Sequence, residues 1–220
     1  MTYDEFAGPD GGYSVSNIYY DTINNDLIRT SLAKPRYREK VRLRAYGNPG
    51  LDSIVFAEIK KKVSKNGNKR RSPILLSDAY MFLNSGKLPE ETTELNMQVL
   101  KEIKYILDNK KIFPVLYLAY DRIAFQGIDK SVDFRVSFDQ NIVSRRYDLK
   151  LEAGRHGDRV TDKNTVIMEI KVTESIPVWF TKLLSKCEVY AKGFSKYGVE
   201  YQNWLKNKPR DLQKEGILLT

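Results

Sequence analysis

The chain has 220 residues, 41 % of them hydrophobic, enough for one sizeable core and too few for two comfortable domains. Its 37 Lys and Arg against 28 Asp and Glu leave a net charge of +9 and a pI near 9.4, which favours polyanionic partners without choosing among nucleic acid, polyphosphate and anionic lipid. A single cysteine, Cys187, excludes an internal disulfide, and a single histidine, His156 in a polar run, excludes a multi-histidine zinc centre and gives poor support to a Ser-His-Asp triad.

No stretch approaches the roughly 18 apolar residues of a membrane span, and MTYDEFAGPDGG has neither the basic nor the apolar part of a signal peptide. That opening reads as a polar segment without regular structure, and the chain as cytoplasmic. SNIYYDT (16–22) then reads as a strand, followed by a short helix around NNDLIRTSL that Pro35 must end. In YREKVRLRAYG (37–47), strand alternation puts Arg38, Lys40, Arg42 and Arg44 on one face and Val41, Leu43 and Ala45 on the other.

SIVFAEIKKKV (53–63) leads through Asn66-Gly67 into KRRSPILL, a hairpin signal that would set Lys62 opposite Arg71 and Ser64 opposite Lys69. Ser77 is the expected N-cap of a helix ending at Gly86. Between Thr92 and Asn109, Leu95, Val99, Ile103, Ile106 and Leu107 keep helical spacing.

VLYLAYDRIAFQG (115–127), SVDFRVSFDQNI (131–142) and TVIMEIKV (165–172) repeat the strand pattern, with Tyr120 and Arg122, Arg135 and Asp139, and Glu169 and Lys171 on their charged faces. IPVWFTKLLSKCEVY and SKYGVEYQNWL are expected as terminal helices, Cys187 being a small buried hydrophobe of the first and Trp179 and Trp204 packing residues.

A solvated sheet face needs no charges of one sign, yet Lys and Arg recur in nearly every strand, where like neighbours repel. Closing the sheet would turn these faces inward and leave the apolar faces for the helices to cover, an α+β fold built on an antiparallel β-barrel with a charged interior. Arginine suits bidentate contact with phosphate oxygens. The expectation is a phosphate-binding tunnel.

The motifs VRLRAYG, EIKKK, KRR, YDRIAF, FRVSFDQNI, MEIKV and GFSKY, in that order over roughly residues 16 to 201, resemble those of the VTC polyphosphate polymerase domain, a member of the triphosphate tunnel metalloenzymes. The resemblance implies an ATP-dependent polyphosphate polymerase. In that reading Arg42, Arg44, Lys60, Arg122, Arg135 and Lys196 act on the reacting phosphates, while one of Lys69, Arg70 and Arg71, together with Lys171 and Ser195, contacts the chain.

It also implies that Glu169 binds a divalent cation, Mn2+ or Mg2+, and Tyr120 packs near the nucleotide base or in the core. Glu58 is then a second carboxylate near the metal or an ion-pair partner of the cations beside it. Phosphoryl transfer asks for positioning and charge neutralisation more than for a covalent nucleophile. The family places a lysine two residues before the Ser of FSK; Gly193 stands there, and Lys192 is expected to substitute.

Members of the family also begin with a strand carrying a Glu-x-Lys-like motif, and none precedes Ser16. The chain is thus expected to be one domain, 1–220, without that first strand. ATP and polyphosphate are the implied partners, with a membrane-associated partner reached through segments outside this chain and a place at the cytosolic face of a membrane. No RNP-like aromatic motif calls for nucleic acid. A non-catalytic polyanion-binding module and an inorganic triphosphatase would use the same lining.

Overall fold

Alternating apolar and charged residues give most of the chain strands with one face for a core and one for charge. The computed structural model describes residues 1–207 apart from 5–6, 9, 65, 91–92 and 129–132. In chain order the elements are β1 (Thr2–Tyr3), β2 (Gly12–Asp21), α1 (Asp26–Ala33), β3 (Tyr37–Tyr46), β4 (Ile54–Val63), β5 (Asn66–Leu75), α2 (Leu76–Ser85) and α3 (Met97–Lys110). They continue with β6 (Phe113–Gln126), β7 (Phe134–Arg145), β8 (Asp158–Arg159), β9 (Ile167–Val172), α4 (Val178–Lys186) and α5 (Lys196–Asn207).

The sheet is antiparallel throughout, in the order β5-β4-β3-β2-β6-β7-β8, with β1 also on β6 and β9 also on β7. Among the described residues β5 and β9 do not pair with each other, so hydrogen bonding leaves the sheet open where a closed barrel was expected. Residues of both strands nevertheless line one cavity.

The helices lie where the apolar faces predict. Val41, Leu43 and Ala45 of β3 and Val55, Ala57 and Ile59 of β4 pack under α2 and α3, which bury Phe82, Leu100, Ile103 and Ile106 against them. Each of the valine, leucine, isoleucine and phenylalanine side chains contributes about 1.5–3 kcal/mol on burial. The apolar face of β7 and β9 is covered by Phe180 and Leu184 of α4.

The inner side departs from expectation, because it is charged only in part. β2 and β6 carry apolar residues on both faces, and Val15, Leu116, Leu118 and Ile142 form a second core closed by Ile28 of α1 and by Tyr197 and Tyr201 of α5. Asp21 joins the three elements there: its carboxylate accepts the N–H groups of Leu27 and Ile28 at 2.8 and 2.9 Å and the Tyr197 hydroxyl at 3.1 Å. It therefore caps α1 and anchors α5 at once.

Five local expectations are corrected. Ser64, at φ 54, takes the left-handed conformation the hairpin turn requires, so Val63 pairs with Asn66, Lys60 with Lys69 and Glu58 with Arg71. Lys65 lies outside the described residues. The change from the expected pairing is an even number of residues, so every side chain keeps its face.

At α2 the N-cap is Leu75, with no side-chain cap, while Gly86 at φ 70 ends the helix as expected. The next helix begins at Met97, where the Asn96 side chain accepts the N–H of Val99 at 3.3 Å; Thr92 lies outside the described residues. Cys187 is exposed, since α4 stops at Lys186. The opening segment is not without structure: Thr2 and Tyr3 pair with Gln126 and Phe125, and the Tyr3 ring stacks on Phe125 at 5.0 Å.

Candidate functional site

A cavity of about 550 Å³ opens between the sheet and the segment before α5. β3 supplies Lys40, Arg42 and Arg44, β4 supplies Glu58 and Lys60, and β5 supplies Lys69. From the other side come Tyr120 and Arg122 of β6, Glu169 and Lys171 of β9, and Phe194, Ser195 and Lys196. Strand alternation aims Lys40, Arg42 and Arg44 of β3 inward while Val41, Leu43 and Ala45 enter the core.

Two buried carboxylates hold the cations in place. Glu58, 2 % exposed, lies 2.6 Å from Arg42 Nη2, 2.9 Å from Lys69 Nζ and 3.9 Å from Arg44 Nε. Burial alone would raise its carboxyl, but Arg42, Arg44 and Lys69 bring it down to about 2. Arg42 also donates to the Tyr19 hydroxyl at 3.0 Å, and Arg44 to Asn17 at 3.0 Å and to the Tyr120 hydroxyl at 3.4 Å.

Asp139, 0 % exposed, receives Arg122 Nε and Nη2 at 2.6 and 2.8 Å and Lys196 Nζ at 2.6 Å. Burial pushes its carboxyl up, and Arg122 and Lys196 outweigh this and lower it. The Tyr120 ring lies under both cations, with its centroid 4.5 Å from Lys196 Nζ and 5.3 Å from the Arg122 guanidinium carbon.

The remaining groups are less constrained. Glu169 is 47 % exposed, 3.7 Å from Arg122 Nη2 and 3.8 Å from Lys171 Nζ. Lys69 is 42 % exposed; partial burial, Arg44 and Arg42 lower its ammonium to about 8, although Glu58 favours the charge. Lys60 has no carboxylate partner among the described residues. Ser195 accepts Lys40 Nζ at 3.4 Å and the Gly198 N–H at 3.2 Å, so it caps the first turn of α5 beside the cavity.

The structure thus gathers Arg42, Arg44, Glu58, Lys60, Lys69, Tyr120, Arg122, Glu169, Lys171, Ser195 and Lys196 around one space. It does not bring in four others. Arg70 points to the outer face and pairs with Glu102 of α3, Arg71 lies over the Phe56 ring at 4.3 Å, and Lys192 is exposed outside the cavity lining. Arg135 is held at 2.5 Å by Asp4 and at 3.1 Å by the Tyr13 hydroxyl.

Asp139 and Tyr19 also belong to the site, though no sequence motif gives them a role there. Alternation put Asp139 on the charged face, but only the register Arg122↔Asp139 across β6 and β7 reveals which cation it holds. A metal would find few donors of its own: among the described residues no three His, Cys, Asp or Glu side chains cluster. Glu169 alone is a carboxylate open to the cavity, a donor set that fits a hard ion whose other ligands are phosphate oxygens and water.

A second cavity of similar volume, about 550 Å³, lies between α2 and residues 87–90 and 94–95. Leu75, Met81 and Leu95 make it largely apolar, and Asp78, Glu90 and Glu94 on its wall would repel an anion. It is not a phosphate site.

The VTC domain family matches residues 1–205. The vacuolar transporter chaperone complex subunit 4 of Schizosaccharomyces pombe is 26 % identical over 232 residues, an alignment covering 88 % of this chain and 32 % of that protein. The chain therefore spans about a third of the length of that relative. A candidate adenylate cyclase from Bacillus halodurans shares the fold, with a TM-score of 0.51 at 14 % identity, covering 86 % of this chain and 81 % of the other. With nearly its whole described length matched, the chain belongs to the VTC domain family.

Proposed function

We propose that this chain is the catalytic domain of an ATP-dependent polyphosphate polymerase, which transfers the terminal phosphate of ATP to a growing polyphosphate chain. The observation that carries the reading is a cavity lined, among the described residues, by eight lysine and arginine side chains and by one carboxylate, Glu169, that opens freely into it. Membership of the VTC domain family supports it.

In this reading Arg42, Arg44 and Arg122 hold phosphate oxygens in fixed geometry, because Glu58 and Asp139 have already set the orientation of their guanidinium groups. Lys60, Lys69, Lys171 and Lys196 spread neutralising charge along the rest of the triphosphate and chain, which lowers the energy of the anionic transition state. The Tyr120 hydroxyl, bonded by Arg44, keeps that arginine aimed into the cavity. β5 and β9 both contribute to the cavity lining, so the substrate would lie between residues of these two strands.

Glu169 would hold magnesium or manganese, which when bound would supply positive charge to neutralise the phosphates. The fission-yeast relative is a subunit of a vacuolar transporter chaperone complex, and by analogy the domain works as one part of a larger assembly. No helix among the described residues is long and apolar enough to cross a membrane.

Incubation with ATP and manganese, followed by a gel stained for polyphosphate, tests the proposal. A ladder of products that fails to form in Arg44→Ala is the expected result. Orthophosphate alone would make the chain a triphosphate hydrolase, and tight polyphosphate binding without any product would make it a binding module.

A further inference from the structure

At the turn end of β3, β4 and β5 the two faces of the sheet treat charge differently. On the outer face each cation has its acid: Glu39 takes Lys110 at 2.8 Å, and Glu102 of α3 takes Lys61 at 3.1 Å and also pairs with Arg70. On the inner face the same strands set Arg38 opposite Lys62, and Lys40 opposite Lys60, which is itself opposite Lys69. Among the described residues Arg38, Lys40, Lys60 and Lys62 have no carboxylate partner; Arg38 donates to the Pro35 carbonyl at 3.0 Å, and Lys40 to Ser195.

Lys40 and Lys60 belong to the cavity lining, whereas Arg38 and Lys62 stand one rung further out, about 6–7 Å along the strands, and are partly buried. Like charges directly opposite one another destabilise a sheet. Burial lowers the Lys40 ammonium, and Lys60, Arg42 and Arg38 add to that. Gly67, opposite Lys62 on β5, presents no side chain, and a Cβ there would meet nothing within 4 Å. The rung is basic, unneutralised and open on one side.

We infer that Arg38 and Lys62 form an outer subsite for polyphosphate, holding the length of chain that extends from the cavity past the hairpin. The inference rests on the proposed polyphosphate site and adds a second contact region to it. A phosphate chain suits the rung better than a nucleic acid, because Lys40, Lys60 and Gly67 beside it on that face offer no ring for a base to stack on.

The test measures binding of tripolyphosphate and of long-chain polyphosphate to the full chain and to an Arg38→Ala/Lys62→Ala variant. Tripolyphosphate, which the cavity holds by itself, should bind both about equally. Long-chain polyphosphate should bind the variant about tenfold more weakly at low salt, with the gap closing as salt rises. A Lys101→Ala/Lys104→Ala variant, which removes two charges from α3, should leave both affinities unchanged.

Equal loss for both ligands, equal loss in the α3 variant, or no loss at all would overturn the subsite while leaving the cavity reading in place. Single-stranded RNA competing as well as polyphosphate would assign the rung to nucleic acid and overturn it too. A parent chain that binds neither phosphate ligand would remove the cavity reading, and the subsite with it.

Discussion

Asp139 of β7 and Lys196, the first residue of α5, meet at 2.6 Å, and the same carboxylate holds Arg122 of β6 by two hydrogen bonds. One buried acid therefore sets two cations that approach the cavity from different elements. Asp139→Asn keeps the shape and strands both charges, so stability should fall by about 3 kcal/mol and Tm by roughly 6–12 °C. The cavity becomes more positive, so polyphosphate binding persists while kcat drops about tenfold or more. Thermal unfolding beside steady-state kinetics checks this, and an equal rise in KM with kcat intact would mean that Asp139 acts on binding alone.

Glu58 should govern acid stability. In the folded chain its carboxyl ionises at about 2, below the ordinary value of 4.5. The folded state thus binds its proton more weakly than the unfolded one, and the stabilisation is present above pH 4.5 and lost as pH falls towards 2. The contribution is about 3 kcal/mol. Glu58→Gln should lose that much at pH 7 and show a flatter stability curve between pH 4.5 and 2; a parallel curve in denaturant titrations would assign the acid transition to other carboxylates.

Much of this was legible in the sequence for a simple reason: alternation in VRLRAYG and MEIKV assigns a face to each residue whatever the register. The basic wall survived even though Ser64, not Asn66-Gly67, makes the turn. What escaped depends on long-range geometry. Arg70 was one of three adjacent cations until Glu102 of α3 drew it outward, and Arg135 matched a motif but is held by Asp4, 131 residues away in sequence. Arg145 donates to the carbonyls of Asp148, Lys150, Gly154 and His156 and so organises the loop after β7, a role no periodicity announces.

Lys69 should make polyphosphate binding depend on pH. Its ammonium, lowered to about 8 by burial and neighbouring arginines, is charged below that pH and neutral above it. A cation that contacts the polyanion is therefore lost as pH rises through about 8, and affinity should weaken across that step. Lys69→Arg keeps the charge throughout and should abolish the step in binding titrations from pH 7 to 9. Persistence of the step in the variant would place it on another group.

Glu169 is the carboxylate of the lining that no buried cation pair consumes; it keeps 47 % of its side chain exposed beside Arg122 and Lys171. Glu169→Gln preserves its shape and removes the charge a hard divalent ion requires. Under the proposed reaction the variant should behave like the parent after chelation of divalent ions, with turnover reduced about tenfold or more. Polyphosphate affinity measured without metal should hold or rise, since a negative charge has left a basic cavity. Full turnover in the variant would move the metal elsewhere, and weaker metal-free binding would show that Glu169 instead orients Arg122 and Lys171.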